Sequence, residues 1–187
     1  MSLSTVKQEI LETMLLHERP LKAVEIASET KMKFPPVMMH LLGFVRMEYV
    51  SSPEKGLYVI TEKGKEALGI PQINKEKASA ILAYAPQDAA FHFYADIAKP
   101  LNLHAHNLRD FANKVEKADI ASIEFHTKRG DFEAWFNELG DVELAKKAAL
   151  LKQRNVAGED LRRQLHEIVL QRYIALAKLA DQPVYTE

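Results

Sequence analysis

The stretch from Val37 to Leu68, VMMHLLGFVRMEYVSSPEKGLYVITEKGKEAL, leaves the chain few ways to fold. Val37, Leu41, Phe44 and Val45 recur at helical spacing, so one stripe of a helix can face a core. Tyr49-Val50 and Leu57-Tyr58-Val59-Ile60 then supply the β-branched and aromatic residues of two strands. Between them Pro53 fixes φ for a turn, and Gly56 accepts the positive φ that closes a hairpin. Thr61 stands at a helix N-cap, with Glu62 where the helix dipole favours a negative charge. Gly69 and Pro71 end that helix.

Upstream, Ser4 to His17 reads as a helix capped by Ser4, with Val6, Ile10, Met14 and Leu11 as its buried stripe. Pro20 ends the connection, because the residue before a proline avoids helical dihedrals. LKAVEIASETKM reads as a second helix with Leu21, Val24, Ile26 and Ala27 inward, and KMKFPP as the turn into the third. The proline pair fits only in a first helical turn.

Residues 1–70 resemble the winged helix-turn-helix domains of prokaryotic transcription regulators, in hydrophobic pattern and turn placement. The resemblance implies a third helix in the DNA major groove and a hairpin wing on the backbone. It puts Pro36, Met38, Met39, Leu42 and Gly43 at the groove-facing positions, with His40 and Arg46 nearby. Lys31, Lys33 and Lys55, in the turn and at the wing tip, would meet phosphates of double-stranded DNA. The expected DNA-binding set is thus Lys31, Lys33, Pro36, Met39, His40 and Lys55. DNA readers usually carry Ser, Thr, Arg, Lys or Gln at the groove-facing positions, and methionine and leucine cannot donate to base edges. A helix apolar on nearly every face is normally buried on nearly every face. Met38, Met39 and Leu42 are therefore also the expected interface, with the helix from Pro35 to Met47 covered by a second copy of the chain, as a homo-oligomer, or by the C-terminal domain folding back.

PQINKEKASA, residues 71–80, reads as a linker without a clear period. Residues 81–187 read as a helical domain, in which Phe91-His92-Phe93-Tyr94 is too short for periodicity to choose strand or helix. Asn107, Asp119, Asp131 and Asp141 are the expected caps of four successive helices. A last helix, Glu159 to Leu179, buries Leu161, Leu165, Ile168, Val169, Tyr173 and Leu176, with Arg162, Arg163, Gln164 and Arg172 opposite. The tail DQPVYTE reads as frayed. Phe125-His126, Arg129-Gly130-Asp131-Phe132, Trp135, Leu139-Gly140-Asp141 and Leu144-Ala145 resemble a domain of unknown function found in archaeal and bacterial proteins. That resemblance implies a two-part architecture and carries no activity with it. The expected fold is mainly α with a small β wing.

At 187 residues and 47% hydrophobic, the chain can bury one large core or two small ones. It has no cysteine, which excludes disulfides and thiolate metal sites. MSLSTVKQEIL lacks the pattern of a secretory signal, no apolar run is long enough to span a bilayer, and a cytoplasmic location is expected. Net charge is −1, and residues 1–70 balance nine basic against nine acidic side chains. DNA affinity would have to come from how charge is distributed. His92, His104, His106 and His126, with Glu124 or Asp131, match no ligand spacing, and no metal or cofactor is expected. Glu124, His126 and Asp131 could serve acid–base chemistry, but no nucleophile elbow, phosphate loop or paired carboxylate accompanies them. The chain is expected not to be an enzyme.

Overall fold

A computed structural model describes residues 3–17 and 19–184, which fall into two units, Met1–Gln72 and Ile73–Glu187. The last three residues of the expected frayed tail lie outside the described residues. The architecture is mainly helical with small antiparallel sheets. No helix among the described residues is long and apolar enough to cross a membrane.

The first unit runs α1 (Thr5–Leu16), β1 (Leu21–Lys22), α2 (Ala23–Thr30), α3 (Phe34–Arg46), β2 (Val50–Ser51), β3 (Leu57–Ile60) and α4 (Glu62–Ala67). Its three strands pair antiparallel in the order β1-β3-β2, with Leu21 opposite Tyr58 and Val50 opposite Ile60. Leu21 and Lys22, expected inside the second helix, form β1 instead. Lys22 is extended and its N–H donates to Glu25 Oε2 at 2.7 Å, which starts α2 one residue later. Ile10, Leu11, Met14, Ile26, Val37, Leu41 and Phe44 close the core. Val6, Val24 and Val45, expected inward, lie on the exposed sides of their helices. Thr61 caps α4, accepting the Gly64 N–H at 3.1 Å and donating to Glu48 O at 2.6 Å. Gly64 is dictated by space: a Cβ there would stand 2.2 Å from Tyr49 O.

The second unit begins inside the stretch expected to be a linker. Asn74 caps α5 (Lys75–Ile81) through the Lys77 N–H, and Ala78 and Ile81 are buried. Next come the hairpin β4 (Phe91–Asp96) and β5 (Lys99–Ala105), then α6 (Leu108–Val115), α7 (Ile120–Arg129), α8 (Asp131–Glu138), α9 (Val142–Gln153) and α10 (Gly158–Leu179). Phe91-His92-Phe93-Tyr94, which periodicity leaves open between strand and helix, is strand, so the second unit is helical with one hairpin. Strand alternation there buries Phe91 and Phe93 and turns His92 to the other face, and the register shifts between Phe93 and Tyr94.

Phe111 is the centre of that core, its ring 5.2–5.6 Å from those of Phe91, Phe93, Phe132, Trp135 and Phe136. Trp135 fixes its polar edge by donating Nε1–H to Ala89 O at 2.9 Å. Asn107, Asp119 and Asp141 cap α6, α7 and α9. Arg162 of α10 donates to the carbonyls of Val115, Glu116 and Ala118, satisfying the end of α6.

Arg172, expected on the polar side of α10, is buried with α9. Its Nε donates to Asp141 Oδ2 at 2.8 Å and its Nη1 to Glu143 Oε2 at 2.8 Å. Glu143 in turn pairs with Lys147 at 3.0 Å, and Lys147 and Asp141 are wholly inaccessible to solvent. Two carboxylates and two cations thus form a neutral cluster between the two helices.

Candidate functional site

Two places hold the residues singled out from the sequence. The first is the outer side of α3. Two prolines follow Phe34, as a first turn permits, and the helix then runs unbroken to Arg46. Because Val37, Leu41 and Phe44 take the inner face, the intervening residues must point outward. Met39 is 67% exposed, Phe34 49%, Leu42 48% and Val45 37%. Within the first unit, these four side chains are left uncovered. Met38 does not share the face of Met39 and Leu42. It is half-buried against the core, and the Tyr58 hydroxyl donates to its sulfur at 3.7 Å.

The basic residues surround one end of this helix. Lys31 terminates α2 in a left-handed conformation, φ 55°, and Lys33 precedes the first turn of α3. Lys55 lies in the β2–β3 turn, beside a depression of about 470 Å³ also lined by Lys22, Val24, Phe34 and Met38. Pro36 is exposed, and His40 is half-buried beside Phe44. The structure thus places Phe34, Met38 and Lys55 around one depression, while Met39 and Leu42 lie on the outer helix face. Val24 and Phe34 were missed by sequence reasoning. The expectation that Val24 faces the core fails because its neighbours Ala23, Ile26 and Ala27 already complete the buried face of α2.

The second place is the corner between α7 and α8. Gly130, φ 78°, ends one helix and starts the next, so Asp131 is the first helical residue and caps nothing. This corrects its expected role. Its Oδ2 accepts from His126 Nδ1 at 2.7 Å and from Arg129 Nε at 3.0 Å. His126 Nε2 accepts the Tyr94 backbone N–H at 2.8 Å, and a backbone N–H can only donate, so the proton of the neutral ring sits on Nδ1. Burial holds the His126 pKa below its usual value, Asp131 partly opposes this, and Arg129 adds to it. Both ring nitrogens are committed, so His126 positions the β4 backbone and is not a free base.

Around this corner lies an open cavity of about 340 Å³. Phe91, Tyr94 and Phe125 give it aromatic walls, Arg129 and Asp131 give it charge, and the hairpin tip at Ile97 forms its edge. Arg129 lies over the Phe125 ring, 5.1 Å from its centroid.

The other histidines go elsewhere. His92 and His104 face each other across the hairpin, ring centroids 4.3 Å apart, with His92 Nε2 donating to Gln87 O. Burial, then His92, His106 and Lys114, hold the His104 pKa down. His106 Nδ1 donates to Ala85 O and its ring stacks on Tyr84. Glu124 accepts the Gly158 N–H at 2.9 Å, away from any acid–base partner. Among the described residues, no group of three His, Asp or Glu side chains is placed to hold a metal ion.

A pH dependence follows from the two depressed histidines. In the unfolded chain each binds its proton near pH 6.5, above its folded value. Unfolding therefore takes up protons below that pH, so their stabilising contribution is complete above about 6.5 and declines as pH falls through the folded values. Denaturant unfolding of the second unit, followed by the fluorescence of Trp135, the chain's one tryptophan, should show this decline. His126→Asn should lower this uptake. An unchanged uptake in that variant would show that His126 is not held neutral.

Compared with protein-family models, with curated proteins and with solved structures, the chain finds no match.

Proposed function

We propose that the first unit is a winged helix-turn-helix module that joins two copies of this chain through α3, and that the protein is a non-enzymatic interaction module. The exposed apolar side of α3 carries the reading. Phe34, Met39, Leu42 and Val45 offer a surface that methionine makes adaptable, with no amide or hydroxyl group for base edges. Arg46 is the sole charged residue of α3 and lies at its C-terminal end, so a two-fold contact through the middle of the helix would bury no unpaired charge. The order helix, strand, helix, helix, hairpin, helix supports the winged-helix part of the proposal.

The test is the mass of the full chain in solution. The dimer is expected, and Met39→Glu should give monomers, because the new carboxylate would be buried without a partner. A wild-type monomer would overturn the proposal. A second reading, DNA-binding regulator, is favoured by one observation: Lys31, Lys33 and Lys55 are all exposed on the third-helix and hairpin side of this unit. It predicts salt-dependent binding of random duplex DNA, weakened on every sequence by alanine at those three positions.

A further inference from the structure

We infer that the cavity beside the α7–α8 corner binds a small monocarboxylate with an apolar body. The inference does not depend on what the first unit binds. Arg129 is held at two points: Asp131 takes its Nε–H, and the Phe125 ring supports its guanidinium. Its two terminal nitrogens meet no acceptor among the described residues, and Arg129 lines the cavity. A planar guanidinium anchored in this way presents two parallel N–H donors, which match the two oxygens of a carboxylate.

The charge of the lining limits the ligand further. Asp131 already accepts from His126 and Arg129, and Asp96 uses Oδ1 to accept the Ile97 N–H. One guanidinium therefore stands against two carboxylates. A phosphate or a dicarboxylate would bring more than one negative charge to a lining that already holds two carboxylates, whereas a monocarboxylate brings one, met directly by the two terminal nitrogens of Arg129.

The walls set the remainder of the molecule. Phe91, Tyr94 and Phe125 line the cavity, and Ile97 at the hairpin tip is 73% exposed, an apolar side chain that a ligand would cover. Ala98 beside it has φ 98°, a conformation that costs an L-residue strain and that the hairpin turn imposes. Apolar walls with one convergent charged group are the usual composition of a small-molecule site.

The experiment is calorimetric titration of the full chain with phenylacetate, indole-3-acetate and hexanoate, and with phenylacetamide and phenethylamine as controls. At least one carboxylate should bind, and phenylacetamide should bind at least about tenfold more weakly than phenylacetate if that is the acid that binds. Arg129→Gln should abolish the preference for the acid. Because Arg129 also braces Asp131, Ile97→Asp is the second variant. It alters only an exposed tip and should weaken acid binding by adding repulsion and removing apolar contact. The inference is overturned if no carboxylate binds at roughly millimolar concentration. It is equally overturned if the amide or the amine binds as well as the acid, or if both variants keep wild-type affinity.

Discussion

Arg172→Ala is expected to destabilise the second unit by about 3–5 kcal/mol, because it leaves two buried carboxylates facing one cation. Asp141 would keep its bond to the Leu144 N–H, and Glu143 its pair with Lys147, so the loss falls on the bonds Arg172 makes to the two carboxylates. Urea unfolding followed through Trp135 is the measurement. Replacing the cluster together, with Arg172→Met, Glu143→Leu, Lys147→Met and Asp141→Asn to retain the cap, should recover most of the stability. A neutral buried cluster is worth little more than an apolar one of the same volume, while a broken one is costly. If Arg172→Ala costs less than about 1 kcal/mol, water reaches these groups and they are not a buried cluster.

Phe111→Ala should cost about as much, roughly 3–5 kcal/mol, for a different reason. The ring lies among five other aromatic rings contributed by β4 and α8, and the space it leaves cannot close without moving the hairpin or that helix. Phe111→Leu keeps much of the volume and should cost far less. Equal losses in the two variants would mean that ring geometry, and not filled volume, holds this core together.

These predictions show which parts of the fold can be read from residue order. Turn and cap chemistry is local, so Thr61, Asn107, Asp119 and Asp141 could be assigned as caps from the sequence, and each accepts the expected backbone N–H. Asp131 has the same local signature but a different partner. Gly130 already ends the preceding helix, and the carboxylate turns to His126 five residues back. Arg172 was legible in principle. It stands four residues after Ile168 and four before Leu176, within the apolar stripe, and only its charge argued against burial.

Met39 and Leu42 show the reverse case. Once Val37, Leu41 and Phe44 define the inner face, those two must lie outside, whatever their hydropathy. The cavity could not be read at all. It brings β4 and the hairpin tip against α7, segments about thirty residues apart, and no local pattern encodes that meeting.

The neutral cluster between α9 and α10 also bears on the order in which the second unit can assemble. Its arginine lies 31 residues after Asp141 and 29 after Glu143. Until that arginine arrives, the buried pairing has Asp141 and Glu143 with only Lys147 of the two paired cations in place, and water is their best solvent. The surface of α9 facing α10 is therefore electrically incomplete and has to stay hydrated, however apolar its other neighbours are. Only when α10 docks can that face dry, so the two helices must close in a single step. The charges thus act as a latch that prevents a half-built core from setting early.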